Sequence, residues 1–261
     1  MANSSTTALQ LESLNERTVP SVTVVQNGGI LTVKGDQFAN NVQITDDGTA
    51  SGLTVTVDGM VYPVTGPVDS VHVRAGSGKD SVSYSLTGDY VGIARTINVA
   101  LGNGDDTFTA DLSHGIDATS SLTLLVDGGN GKDALSVTGP ATGSTAVLAG
   151  ALTIDLKGNN GMDTLSFAYA AEVDGSLTIT ARGGNGKDTI TGDVNVAAGS
   201  TGAVTIHEFG GNGKDVLGLS VAGDGLAGLS ALLDATIDGG HGQDTVTATD
   251  NVTILNPGKH K

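Results

Sequence analysis

GGNGKDALS at 128–136, GGNGKDTIT at 183–191, GGNGKDVLG at 210–218 and GGHGQDTVT at 239–247 are near-copies of one nine-residue string. Looser copies stand at 75–83 (AGSGKDSVS), 101–109 (LGNGDDTFT) and 158–166 (GNNGMDTLS), making seven in all. Their aspartates are Asp80, Asp106, Asp133, Asp163, Asp188, Asp215 and Asp244, separated by 26, 27, 30, 25, 27 and 29 residues. A decayed eighth copy lies upstream, where Asn40 precedes Asn-Val-Gln-Ile and takes the aspartate place. So regular a spacing means one structural unit per repeat, with insertions confined to loops.

Outward from the string, each unit has the same grammar. An alternating segment leads in, such as Leu122, Leu124 and Val126, or Leu177, Ile179 and Ala181, and period-two alternation puts these side chains on one face of a strand. Glycines then permit a tight reversal. A second strand leaves, with its apolar residue two positions past the aspartate: Val82, Phe108, Leu135, Leu165, Ile190, Leu217 and Val246. The remaining residues often carry a shorter apolar patch, such as Val91 with Ile93 or Val194 with Val196, which reads as a third strand or a loop. One unit cannot bury its apolar face alone, whereas stacked copies can. The expected fold is all-β: a parallel β-solenoid, of the β-helix or β-roll kind, with about seven to eight rungs and a repeat of about 27 residues. At ~4.8 Å per rung, seven rungs make a rod of ~35 Å. A β-sandwich is the competing fold, but it does not require the same turn at the same place in every unit. The expected organisation is a sorting-like or disordered segment over 1–21, N-terminal rungs and cap over 22–70, the repeat solenoid over 71–250 and a tail over 251–261.

Composition supports the stack. Glycine supplies 40 of 261 residues, aromatics 3%, and cysteine and tryptophan are absent, yet 38% of residues are hydrophobic, too many for a disordered chain. A net charge of −16 repels nucleic acid and anionic membranes and makes cations the natural small partners. Zero cysteine excludes disulfides and thiolate metal sites. No apolar run approaches the ~18 residues of a membrane helix, and no ordinary signal peptide is visible.

The four near-exact strings resemble the nonapeptide of RTX, or haemolysin-type, calcium-binding repeats. The resemblance covers about nine of every 27 residues between 75 and 247. It implies Ca²⁺ held between neighbouring rungs by the seven aspartates and by backbone carbonyls such as those of Gly128, Gly183, Gly210 and Gly239. The chain departs from the family in two ways. The motif comes once per 27 residues instead of every nine, so only one edge of the solenoid carries it. The residue before the aspartate, often Asn or Asp in the family, is Lys79, Lys132, Lys187 and Lys214 here. LESLNERTVPS (11–21) resembles an N-terminal sorting-type segment of exported bacterial surface proteins. The expected setting is therefore the cell surface or exterior of a bacterium, with cell-envelope or matrix components as partners.

Electrostatics independently asks for a cation. Carboxylates stacked ~4.8 Å apart repel by roughly 3 kcal/mol per pair at an effective dielectric of 20, which over six contacts rivals the stability of a whole domain. Calcium, with oxygen ligands at flexible coordination, would neutralise such a column. Two alternatives stay open: the neighbouring lysines and water do so, or the aspartates cap backbone amides of their own turns. Catalysis finds little footing. His72, His114, His207, His241 and His260 share no metal-ligand spacing, and His207 and His241 read as solvent-facing variants of repeat positions. Arg74, Arg95 and Arg182, candidates for a β-helix polysaccharide lyase or epimerase, lie at different repeat phases. Outward Thr107, Thr109, Thr189, Thr191, Thr245 and Thr247, with Ser81 and Ser83, suggest an ice-binding-type face, although threonine is in any case common on exposed strands. The function expected from sequence is a non-catalytic, calcium-binding structural, surface or adhesion module.

Overall fold

A computed structural model of the chain describes residues 22–229 and 232–256. The sorting-like segment 1–21 and the end of the tail, 257–261, lie outside the described residues. The chain coils into a parallel β-solenoid with two main sheets. The first sheet stacks Ile30–Lys34, Ser70–Ser77, Ala94–Asn103, Ser121–Gly131, Ala151–Gly161, Ser176–Gly186, Ala203–Gly213, Leu233–Asp238 and Thr253–Leu255 in order. The second stacks Asn41–Asp46, Ser81–Leu86, Thr107–Asp111, Ala134–Thr138, Thr164–Val173, Thr189–Val196, Val216–Ala222 and Thr245–Ala248. One helical turn, Leu226–Leu229, interrupts the strands. Among the described residues no helix is long and apolar enough to cross a membrane.

Alternation does the work expected of it. Ile97, Leu124, Ile154, Ile179 and Ile206 stand side by side in register on the first sheet, all at most 1% exposed. Facing them from the second sheet, Val82, Phe108, Leu135, Leu165, Ile190 and Leu217 form the matching row, equally buried. Only Val246, in the last strand of that sheet, remains half-buried.

About six turns are complete, slightly fewer than the seven to eight rungs expected, because the two end turns are built differently. At the N-terminal end the stack changes to antiparallel pairs: Thr23–Asn27 on Ile30–Lys34, Leu53–Val57 on Asn41–Asp46, and Met60–Tyr62 on Leu53–Val57. The last hairpin turns at Asp58-Gly59, both at positive φ (50° and 80°), as a two-residue hairpin loop requires. These hairpins occupy the edges that a parallel stack would leave open. At the other end Leu233–Asp238, His241–Gly242 and Thr245–Ala248 make a shortened turn.

The return segments take no single form. Val194 and Val196 continue the second-sheet strand and are buried, while Val91 is 68% exposed and only its partner Ile93 turns inward. A short third ladder does exist in the middle turns, where Tyr90 bridges Ile116, Ile116 bridges Leu148, and Val147–Leu148 pairs with Glu172–Val173.

Candidate cation column at the glycine corner

The repeated string forms the corner from the first sheet to the second. Its glycines do not make a hairpin; the first-sheet strand runs on through them, ending at Gly131 in the Ser121–Gly131 example. Gly129 and Gly131 sit at φ 99° and 137°, and a Cβ on Gly131 would lie 1.7 Å from the carbonyl oxygen of Gly104 in the preceding turn. Conformation and spacing thus both demand glycine there. Gly128, which opens the corner, has another reason. A Cβ there would stand 2.6 Å from Oδ2 of Asp133 and 3.0 Å from the carbonyl oxygen of Gly158 in the next turn. Register between strands is continuous on either side of this row but skips it: Asp127 pairs with Lys157 and Gly129 with Asn159.

The seven aspartates fall in one column. Asp80, Asp106, Asp133, Asp163, Asp188 and Asp215 are at most 1% exposed, and Asp244 is half-buried in the shortened last turn. Each Oδ1 accepts a hydrogen bond from the backbone amide of the equivalent residue one turn back. Asp106 serves Asp80 at 2.7 Å, Asp163 serves Asp133 at 2.8 Å, Asp215 serves Asp188 at 2.8 Å and Asp244 serves Asp215 at 2.9 Å. Asp80 serves Asn40 in the same way at 2.7 Å, which places the decayed eighth copy in the column. The aspartates therefore cap amides, but between turns and not within their own. Each Oδ2 is buried without a hydrogen-bond partner, in all seven aspartates. Burial, partly offset by the amide bond and reinforced by the neighbouring aspartates, pushes Asp80 and Asp133 up to about 6; burial against the same kind of amide bond, with one neighbouring aspartate adding to it, does the same for Asp163 and Asp188. Asp106 and Asp215 are raised for the same leading reason.

The lysines Lys79, Lys132, Lys187 and Lys214 are exposed, and among the described residues they make no ion pair with the column. Nor does any group of three or more His, Cys, Asp or Glu side chains come together to hold a metal among the described residues. A cation at the corner would have one carboxylate per turn and otherwise backbone oxygens. That is the donor set a hard, oxygen-seeking ion such as Ca²⁺ accepts. A repeated orphan carboxylate oxygen and a carbonyl oxygen converging on one glycine supply donors that suit such an ion, with Gly128, Gly158, Gly183, Gly210 and Gly239 opening those corners.

Outside the column three features escaped the sequence reading. The third corner position forms an asparagine ladder on the surface: Asn130, Asn160, Asn185 and Asn212 each donate Nδ2 to Oδ1 of the residue one turn back, at 2.8–2.9 Å. Aligning the seven strings by position displays it. The second feature is a buried polar knot. Arg95 pairs with Asp46, both side chains fully buried, and donates to the carbonyls of Val68, Thr49 and Ala50. Tyr84 and Tyr90 also donate to Asp46 Oδ2, at 2.8 and 2.5 Å. The knot ties the N-terminal hairpins to the first complete turns and is sealed from solvent. The third is Glu208, 0% exposed with neither carboxyl oxygen hydrogen-bonded. Burial pushes it up to about 8.

The remaining candidates scatter. Arg74 is exposed on the first sheet, while Arg182 lies outside, paired with Asp155 at 2.5 Å and stacked on Phe209. His207 meets Asp234 at 3.2 Å, and His241 is exposed. The outward row Ser83, Thr109, Ser136, Ser166, Thr191, Gly218 and Thr247 is in register but mixed. The longer unbroken threonine row lies on the first sheet: Thr96, Thr123, Thr153, Thr178 and Thr205.

The class these observations define is the parallel β-solenoid with a buried aspartate column. Comparison with known families, with curated proteins and with solved structures finds no match for this chain.

Proposed function

We propose that the chain is a non-catalytic β-solenoid stabilised by calcium, serving as a structural, surface or adhesion module outside the cell. One observation carries the reading: seven buried aspartate oxygens, one per turn, have no hydrogen-bond partner. A buried anionic oxygen left unpaired costs several kcal/mol, so a repeated one calls for a repeated counter-ion. Asp80, Asp106, Asp133, Asp163, Asp188, Asp215 and Asp244, with corner carbonyls such as those of Gly128, Gly183, Gly210 and Gly239, would hold it. Bound by the folded chain and not by the unfolded one, each ion would add stability by mass action, about 2.7 kcal/mol per site at a hundred times its dissociation constant. The acidic composition and the likeness of the strings to RTX repeats support a setting outside the cell for such a module. The test is thermal melting of chelator-treated protein with and without millimolar Ca²⁺, with Mg²⁺ as control. A rise in melting temperature specific to calcium is expected; identical curves would sink the metal role.

The unbroken threonine row on the first sheet, flanked in register by Ala94, Ser121, Ala151, Ser176 and Ala203, favours a second reading as an ice-binding-type face. Thermal hysteresis measured on the folded protein decides it, and its absence removes this reading.

A further inference from the structure

We infer that cation binding is confined to the five C-terminal corners, and that the residue opening each corner decides which turns take part. This rests on the calcium reading above and narrows it.

The corners fall into three kinds. Five open on glycine and close on aspartate: Gly128 with Asp133, Gly158 with Asp163, Gly183 with Asp188, Gly210 with Asp215, and Gly239 with Asp244. At these glycines an added Cβ would lie 2.6, 2.4, 2.6, 2.8 and 3.0 Å from the orphan Oδ2 of the same turn. It would also lie 3.0, 2.7, 2.7, 2.5 and 2.5 Å from a carbonyl oxygen of the next turn, that of Gly158, Gly183, Gly210, Gly239 and Asn256. Two oxygens from adjacent turns thus converge on one glycine Cα, where only a hydrogen is accommodated.

Two corners keep the aspartate but lose the glycine. Ala75 opens the corner of Asp80 and Leu101 that of Asp106. Register fixes Leu101 in the glycine row, because Ala100 pairs with Asp127 and Gly102 with Gly129. Both side chains are 0% exposed and belong to the core, so a methyl and an isobutyl group occupy the position where the other turns carry only a hydrogen. Their aspartates still accept the amides of Asn40 and Asp80, so the turn-to-turn bond is kept without the open face. The eighth corner inverts the pattern: Gly35 opens it, but Asn40 offers an amide in place of a carboxylate. The hydrogen bond between turns therefore does not need the glycine, whereas cation binding needs carboxylate and glycine together. Both occur in the same corner only from Gly128 onward.

Isothermal titration of chelator-treated protein with calcium chloride, read as the number of ions per chain, tests this. About five ions are expected for the natural chain, one for each corner that joins glycine to aspartate. Asp163→Asn and Asp188→Asn, which keep the Oδ1 acceptor, should each lower the number. Asp80→Asn should leave it unchanged, and Ala75→Gly, the loss of one methyl, should raise it by one. Circular dichroism before titration shows that each variant keeps its β-structure. If the natural chain binds calcium but Asp80→Asn lowers the number as Asp163→Asn does, or Ala75→Gly adds nothing, the restriction is wrong and the calcium reading stands. If the natural chain binds none, both fall.

Discussion

Glu208 offers a sharp test of how the interior is built. It takes the inward phase of the strand Ala203–Gly213, in register between Ala181 and Ile237, inside an otherwise aliphatic row. Burial raises its carboxyl from 4.5 to about 8. The folded value lies above the unfolded one, so the folded chain holds the proton more tightly. The contribution is fully present below about pH 4.5 and is lost as pH rises toward 8. At about 1.4 kcal/mol per unit the whole interval amounts to roughly 5 kcal/mol, of which roughly 3 is gone by neutral pH. Glu208→Gln keeps the shape and removes the titration. In urea denaturation with chelator present, the variant's stability relative to the natural chain should improve by roughly 3–4 kcal/mol between about pH 5 and about pH 8. Taking the difference between the two chains cancels the aspartate column, which titrates in the same direction. A gap that stays constant across that interval would show that Glu208 is not a buried neutral acid, and the reasoning fails.

Further outcomes follow from the other two features missed in the sequence. Arg95→Met leaves Asp46 buried without its cation and should cost roughly 3–5 kcal/mol in urea denaturation, whereas Arg182→Met, at an exposed pair, should cost under about 1 kcal/mol. Equal costs would mean the knot contributes no more than a surface contact. Asn185→Ala removes a donor to Asn160 and an acceptor from Asn212, and should lower stability by about 1 kcal/mol. An unchanged melting temperature would reduce the ladder to a decoration of the surface.

The fold was legible because two periods coincide in the chain. Alternation along Leu122, Leu124 and Val126 sets the inward face, and the spacing of Asp80 to Asp244 sets the turn. A stack in which each residue meets its own equivalent needs little more. What failed to show depends on geometry across turns. That Val91 points out while Ile93 points in follows from return segments of unequal length, whose path is fixed only by neighbours such as Ile116. The number of complete turns was overread because the N-terminal turns take antiparallel hairpins as partners and the last turn, which keeps the string, is shortened. Glu208 was within reach: Val204, Ile206 and Glu208 share a phase, and alternation assigns the glutamate to the core whatever its polarity. Arg95 likewise occupies an inward phase beside Ile97. In both cases side-chain chemistry suggested the surface and backbone geometry decided otherwise.

For the column itself, the seven aspartates and the glycine carbonyls were recognisable as a set, but not the division of labour between the two carboxylate oxygens. That division follows from stacking. Oδ1 reaches back to the amide of the preceding turn, so Oδ2 is left beside the glycine of its own turn and the carbonyl of the next. Each aspartate thus ties three successive turns, two by its position and one by its hydrogen bond. A substitution such as Asp163→Ala would uncap the amide of Asp133 as well as empty its own corner. Damage should then spread to the preceding turn and not the following one, because the amide of Asp188 is capped by Asp215. The direction of that spread is a property of the column, not of the core, whose aliphatic rows touch both neighbours alike. Corner and core therefore contribute differently: burial holds the stack together, and the aspartate column gives it a polarity along the axis.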